Sequence, residues 1–174
     1  MKKKVTAALT TAFAGVAVVV GLAGPASAGT PSTPNQRFNL AIQFDADRTT
    51  TSCTVVASGV IQGTGTCTIH DVSENVGRVR LVLPGGTVTL RVREVASTDD
   101  FDEARCVNRF TSTERFRIVN GTGAYAGASG SGTEVSGGIF TARVTPQGCD
   151  FANGSGFVGV SATATVSLGG SGSA

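Results

Sequence analysis

The stretch Phe116–Thr133, FRIVNGTGAYAGASGSGT, decides the fold. Its lead-in alternates arginine with apolar residues, and glycine then recurs at short intervals. Glycine at this density disfavours a helix, and inside a strand it is costly unless the backbone bends or closely approaches another backbone. A tight bend followed by a sharply coiled strand is typical of a corner in a small closed β-barrel. We therefore expect structural roles for Gly121, Gly123, Gly127 and Gly130.

Outside this stretch the dominant period of the sequence is two, which is the period of β-strands. In Arg37–Asp45, for example, Phe38, Leu40 and Ile42 alternate with polar or small residues. The acidic run Ser97–Glu103 is predicted to be a solvated loop, and no amphipathic helix is expected after residue 28. Strands are predicted at Arg37–Asp45, Thr54–Gln62, Thr66–His70, Arg78–Leu83, Thr87–Val95, Arg105–Thr111, Arg115–Val119, Ala124–Gly132, Ile139–Thr145 and Phe157–Leu168.

Many short strands joined by glycine-rich turns predict an all-β sandwich or barrel. Closure of the sheet removes exposed edges, which a chain rich in glycine, threonine and valine must otherwise protect. We therefore favour a single antiparallel barrel, with a Greek-key β-sandwich as the alternative.

Residues 1–28 have the features of a secretory signal peptide: three lysines, an apolar segment from Val5 to Leu22, and the small-residue site Ala26-Ser27-Ala28. A membrane anchor is the less favoured alternative, because small residues follow the apolar segment directly and no basic flank appears. We predict cleavage after Ala28, flexible ends at 29–36 and 169–174, a barrel domain at 37–168, and a secreted, extracellular protein.

Cleavage would also change the charge of the protein. All three lysines lie in residues 1–28, and the remainder holds 11 arginines against 12 acidic residues, a net charge of −1 instead of +2. The basic character of the full chain therefore gives no support to nucleic-acid binding. We expect neither a nucleic-acid partner nor membrane association after cleavage.

Four cysteines, Cys53, Cys67, Cys106 and Cys149, favour two disulfides over free thiols or a metal site in a secreted chain. Four cysteines allow three pairings. We prefer Cys53–Cys67 and Cys106–Cys149, because each closes a plausible local loop. The spacings support no zinc site, and we expect no metal and no cofactor.

Arginines alternate with apolar residues on the predicted hairpin Arg78–Val95. If a turn at Pro84–Thr87 closes this hairpin, Arg80 faces Arg91 and Arg78 faces Arg93. Like charges directly opposite in a sheet repel, so the cluster needs an explanation. One is an anionic-ligand site that includes Arg117 of a further strand. The favoured alternative is a solvated outer face, with the arginines paired to Glu74, Glu94, Asp99, Asp100, Asp102 or Glu103.

Two further side chains could carry chemistry. Tyr125, the single tyrosine, is a core aromatic in the simpler interpretation and a ligand-binding phenol in the other. His70, the single histidine, is expected to be exposed, and without it no Ser-His-Asp or Cys-His arrangement is possible. No residue is therefore assigned a catalytic role. The ligand-binding candidates are Arg78, Arg80, Arg91, Arg93, Arg117 and Tyr125.

Three stretches together resemble secreted bacterial proteins of the allene oxide cyclase-like and dirigent-like barrel superfamily. They are Leu83–Val88 (LPGGTV), Phe116–Gly132, and Cys106 together with Gly148-Cys149-Asp150. Asn120 stands where the family motif usually has its first glycine. The resemblance implies an eight-stranded antiparallel (calycin-like) barrel, a lumen for a small apolar molecule, and often a homotrimer.

Three functions fit these observations. The first is a disulfide-stabilised barrel that binds a small hydrophobic or amphipathic molecule without catalysis. The second is an isomerase, cyclase or dirigent-like protein acting on a lipid-derived or phenolic substrate. The third is an extracellular structural or interaction protein with a filled barrel. A packed lumen favours the third, an apolar cavity the first, and a cavity with convergent polar groups the second.

Overall fold

Eight antiparallel β-strands close into a barrel in which each strand pairs with the next, and the last pairs with the first. The computed structural model describes residues 34–45, 50–73 and 75–169, which belong to one compact unit. The strands are β1 (Gln36–Asp45), β2 (Thr50–Gly59), β3 (Gly63–Ser73), β4 (Val76–Leu83), β5 (Gly86–Asp102), β6 (Val107–Gly121), β7 (Ser129–Thr145) and β8 (Gly148–Ser167). The predicted all-β eight-stranded barrel is thus confirmed, and the sandwich alternative is wrong. The predicted signal peptide, residues 29–33 and residues 170–174 lie outside the described residues, while Gln36, placed in the predicted N-terminal segment, begins β1.

Alternation along the strands builds the core. On β1, Phe38, Leu40 and Ile42 are buried while Arg37 and Asn39 are exposed. The largest fully buried apolar side chains meet at one end of the barrel, where the rings of Phe38 and Phe116 pack edge to face at 6.3 Å. Each such side chain contributes about 1.5–3 kcal/mol by leaving water.

A short 3-10 helix, η1 (Gly123–Tyr125), packs against this closed end. The hydroxyl of Tyr125 donates a hydrogen bond to the Gln62 carbonyl at 3.2 Å, which ties η1 to the β2–β3 connection. Gly123, the first residue of η1, and Gly127, two residues after its end, have φ of +61° and +73°, a backbone region that glycine adopts without strain. A Cβ at Gly121 would collide with the carbonyl oxygen of Tyr125.

The buried amide of Gln36 holds the same end together. Its Oε1 accepts from the Ile61 N–H at 2.7 Å, and its Nε2 donates to the Ile61 carbonyl at 3.0 Å. Since Ile61 is itself fully buried, the β2–β3 connection covers the end of the core as a plug. The barrel is therefore closed at the end that carries η1.

Two disulfides cross-link the barrel, Cys53–Cys67 and Cys106–Cys149, the pairing preferred from the sequence. The first joins β2 to β3 where their ladder ends, one residue beyond the pair Thr54 and Thr66. The second ties the β5–β6 turn to the start of β8. Disulfides of this kind indicate an oxidising compartment.

Several strands are longer than predicted. The acidic run Ser97–Glu103 is not a loop, because residues up to Asp102 continue β5 and pair with β6. The hydroxyls of Thr98 on β5 and Thr111 on β6 share a hydrogen bond at 2.7 Å. An ion pair between Arg105 and Asp102 at 2.9 Å stabilises the β5–β6 turn. Water at the open rim solvates the acidic side chains, so burial imposes no penalty on this extension.

The same continuity merges strands predicted as separate. The predicted strands Arg105–Thr111, from Val107 onward, and Arg115–Val119 belong to the single strand β6, and Ile139–Thr145 is the second half of β7. The predicted strand Ala124–Gly132 begins instead with η1. No helix in the described part of the chain is long and apolar enough to cross a membrane.

Candidate functional site

A cavity of about 1700 Å³ occupies the half of the barrel away from η1 and opens to solvent. The halves of the strands farther from η1 line it, together with Ser73 and Asn75 at the β3–β4 turn. It also reaches into a gap between β2 and β3, which pair only over Thr54–Ala57 with Gly63–Thr66. Because β2 and β3 separate beyond the Cys53–Cys67 disulfide, the cavity has a side opening as well as a mouth.

The two sides of this cavity differ in chemistry. One side, here called the apolar wall, comes from β1, β3, β4 and β8 and carries Leu40, Ile42, Ile69, Val79, Val158 and Val160. The other side, the acidic wall, comes from β5, β6 and β7 and carries Glu94, Ser97, Asp99, Asn108, Ser112, Glu114, Glu134 and Ser136. The cavity is therefore amphipathic across its width.

A carboxyl pair lies at the bottom of the acidic wall. Glu114 of β6 and Glu134 of β7 are direct cross-strand partners, and only 6% of Glu134 is exposed. Burial, together with the hydrogen bond and the charge of Glu114, raises the pKa of Glu134 from 4.5 to about 9. At neutral pH Glu134 therefore keeps its proton and can donate it in the hydrogen bond to Glu114.

Serine hydroxyls next to the pair are already engaged. The hydroxyl of Ser112 lies 2.8 Å from Oε1 of Glu114 and 2.7 Å from the hydroxyl of Ser136. Nearer the mouth, Ser97 donates to Oε1 of Glu94 at 2.8 Å. The free hydrogen-bonding capacity of the acidic wall therefore consists of acceptors, not donors.

Asn108 adds a further hydrogen-bond acceptor to the acidic wall. Its Nδ2 donates to Oδ1 of Asp99 at 3.0 Å, while its Oδ1 is buried without a hydrogen-bond partner among the described residues. A buried oxygen in this state is costly, and a ligand donor would satisfy it.

Aromatic rings form the rim of the mouth. Phe44 stacks on Phe140 at 5.9 Å, Phe140 stacks on Phe151 at 6.2 Å, and Phe101 packs against Phe151 at 5.9 Å. Phe101 and Phe151 are each about half exposed. The rim thus offers an apolar surface at the entrance to the cavity.

The arginines predicted to bind a ligand do not line this cavity. Arg78, Arg80, Arg91, Arg93 and Arg117 are all exposed on the outer face of β4, β5 and β6, and no arginine lines the cavity in the described residues. Among the described residues these arginines have no acidic partner, since Glu94 points into the lumen and the one ion pair is Arg105–Asp102. Glu74, another expected partner, lies outside the described residues.

The predicted register of the arginine hairpin is wrong by two residues. Only Pro84 and Gly85 lie between the paired residues Leu83 and Gly86, so Arg78 faces Arg91, Arg80 faces Thr89, and Arg93 faces Val76. A shift of two keeps every side chain on its predicted face but changes its partner.

Tyr125 and His70 are also outside the acidic wall. Tyr125 is buried at the closed end and does not line the cavity, consistent with the core interpretation. His70 is exposed, pairs in register with Arg78, and borders the gap between β2 and β3. Within the described ranges, no cluster of three histidine, cysteine or acidic side chains is arranged to hold a metal ion.

Glu114 and Glu134 are not among the ligand-binding candidates that the sequence predicts. In β7 the usual pattern is inverted, since Glu134 points inward while its neighbour Val135 is 56% exposed. A signal existed in β6: Phe116 and Ile118 mark its inner face, and counting back by two puts Glu114 and Ser112 on that face.

Comparison with known proteins leaves the family open. No protein-family model, curated protein or solved structure matches the chain.

Proposed function

We propose that this protein is a secreted binding protein that holds a small amphipathic molecule in its lumen without catalysis. The observation that carries the proposal is the division of one open cavity into an apolar wall and an acidic wall. Ligand sites are typically concave and mostly apolar, with a few convergent polar groups. A cavity of about 1700 Å³ supports a binding protein over the structural alternative, a filled barrel.

The chemistry of the acidic wall defines the polar end of the ligand. Glu94, Asp99 and Glu114 accept hydrogen bonds, the Oδ1 of Asn108 is free to accept one, and no arginine lines the described cavity. A ligand with a positive charge or several donors complements such a wall, whereas a carboxylate would be repelled. The ligand class is therefore an apolar body with a cationic or donor-rich end.

The carboxyl pair gives this proposal a specific signature. An ammonium group beside the carboxyl pair favours ionisation of Glu134, so binding at neutral pH should release the proton that Glu134 holds. A neutral ligand in the same cavity releases none.

Calorimetry with three matched probes tests the proposal: dodecylamine, dodecanol and dodecanoate, each below its micellar concentration. We expect dodecylamine to bind most tightly, with a proton release that is measured by repeating the titration in buffers of different ionisation enthalpy. Glu114→Gln should weaken dodecylamine binding, while the exposed Glu103→Gln should not. Ile69→Asn in the apolar wall should weaken all binding, while Val82→Asn on the outer face should not. Absence of binding by all three probes would refute the proposal.

The carboxyl pair also supports a second candidate, an isomerase or cyclase of the kind implied by the resemblance to allene oxide cyclase-like and dirigent-like proteins. Glu114 as a base and the protonated Glu134 as an acid could move a proton between two carbons of a bound substrate. Conversion of a β,γ-unsaturated ketone to its conjugated isomer, followed by ultraviolet absorbance, tests this capacity. A rate above buffer that Glu134→Gln abolishes would favour the enzyme, and no conversion would favour the binding protein.

Secretion and assembly complete the proposal. The two disulfides support an oxidising, extracellular location, and the resemblance implies a homotrimer. Native mass spectrometry of the exported protein measures the cleavage site, the number of subunits and any bound small molecule in one experiment.

A further inference from the structure

Six arginines form a continuous exposed surface on the outside of the barrel, remote from the lumen. This surface, here called the arginine face, consists of Arg78, Arg80, Arg91, Arg93, Arg115 and Arg117. Its members come from the three consecutive strands β4, β5 and β6.

The strand register arranges these charges in rows. Arg78, Arg91 and Arg117 are direct cross-strand partners, and Arg93 and Arg115 form a second row beside them. Adjacent strands are about 4.8 Å apart, and alternate residues on one strand about 6.7 Å apart, so the face is a lattice of positive charge. Like charges directly opposite in a sheet destabilise it, so the free protein maintains this arrangement at a cost.

Within the part of the chain that the structure describes, no internal partner neutralises the rows. None of the six guanidinium groups lies within an ion pair in the described residues, where Arg105–Asp102 is the single pair. The outward neighbours on β4, β5 and β6 contribute hydroxyl, amide and small apolar groups, including Thr89, Thr113, Asn120 and Val82, and no carboxylate.

We propose that the arginine face binds an extended anionic polysaccharide whose carboxylates align with the arginine rows. Guanidinium binds carboxylate through two parallel hydrogen bonds, and every cationic side chain after residue 28 is an arginine rather than a lysine. A chain that crosses the strands meets one arginine on each of β4, β5 and β6. The threonine and asparagine side chains beside the rows can bond sugar hydroxyls.

Nucleic acid and membrane fit this face less well. It carries no aromatic side chain for base stacking and no protruding helix for a groove, because it is the outer surface of a sheet. It also lacks the aromatic and long aliphatic side chains that enter a lipid interface. Exposed phenylalanines such as Phe101 and Phe151 lie instead at the mouth.

Binding of polygalacturonate, with neutral dextran as the control polymer, tests the proposal by biolayer interferometry. We expect polygalacturonate to bind and dextran not to bind, and the affinity to fall about tenfold or more between about 0.05 and 0.3 M NaCl. The triple variant Arg78→Gln, Arg91→Gln, Arg117→Gln should bind at least about tenfold more weakly, since three exposed charged contacts are removed.

A matched variant separates the arginine rows from net charge. It carries the same number of substitutions at dispersed exposed positions, Arg37→Gln, Arg109→Gln and Arg143→Gln, and should bind within about twofold of the natural protein. Equal losses in the two triple variants, or no binding of polygalacturonate at low salt, would overturn the proposal. Tighter binding to duplex DNA or to vesicles of anionic phospholipid would also overturn it. Circular dichroism of both variants verifies that each is folded.

Discussion

Replacing Glu134 with glutamine should make the barrel more stable than the natural protein at neutral and alkaline pH. The amide of glutamine has nearly the same shape and can still donate a hydrogen bond to Glu114. It cannot ionise, so it removes the cost of placing a second negative charge in the lumen. Few buried substitutions are expected to stabilise a protein, which makes the result distinctive.

The magnitude follows from linkage. The folded protein holds the Glu134 proton up to a pKa of about 9, while the unfolded chain releases it near 4.5. Between these values the folded state binds more protons, so the free energy of unfolding falls as pH rises. The stability that neutral Glu134 provides is fully present below pH 4.5 and is lost as pH rises through about 9. At about 1.36 kcal/mol per pH unit, the loss between about pH 5.5 and 8.5 is at most ~4 kcal/mol, because water in the open cavity reduces it.

Urea unfolding, followed by far-ultraviolet circular dichroism at several pH values, measures this effect. We expect the natural protein to lose stability with rising pH and Glu134→Gln to lose much less, so that the two curves separate above about pH 6. The exposed Glu103→Gln serves as the control and should follow the natural protein. Parallel curves for the natural protein and Glu134→Gln would refute the assignment of a neutral, buried Glu134.

Three other perturbations test the fold. The double variant Cys53→Ser, Cys67→Ser opens a link across 14 residues and should lower the free energy of unfolding by about 3 kcal/mol; no change in urea midpoint would contradict the role given to this cross-link. Phe38→Ala removes a fully buried ring and should cost about 3–5 kcal/mol by the same assay, and a cost below about 1 kcal/mol would show that the closed end is loosely packed. Gly121→Ala would push a Cβ into a carbonyl oxygen of η1 and should cost about 2 kcal/mol, whereas at Gly77 the nearest atom is 3.7 Å away; equal thermal midpoints for the two alanine variants would reject the steric argument.

The all-β class and the alternation of side chains along most strands follow from the sequence because burial imposes a period of two, whereas the strand order comes from the structure. Leu81, Leu83, Leu90 and Phe38 all point inward in the barrel, as their alternation with polar residues predicts. The glycine-rich segment predicts the region of the corner, although the first residues of the predicted strand Ala124–Gly132 belong to η1 instead. The sequence pattern within one strand is sufficient to predict these features, because each involves the residues of a single segment.

The residue partners across the β4–β5 hairpin and the carboxyl pair of the cavity do not follow from the sequence pattern within a single strand. The turn at Pro84–Gly85 could have held two or four residues, and this choice alone decides which arginines face each other. Nothing within β7 marks Glu134 as buried, because burial of its carboxyl group depends on the hydrogen bond to Glu114 on another strand. The carboxyl pair therefore emerges from the register between β6 and β7, not from either strand by itself.

The pairing of β1 with β8 has a consequence for how the protein folds. Asn35 reaches across 131 positions of the chain, donating to the Val166 carbonyl and accepting from the Val166 N–H. β1 therefore keeps one unpaired edge until β8 has been synthesised, and closure is the contact with the longest loop to order. A chain whose β8 is not yet synthesised cannot reach the closed state, so pairing of β1 with β8 should set the folding rate. Joining the two ends of the chain through a short linker should accelerate folding.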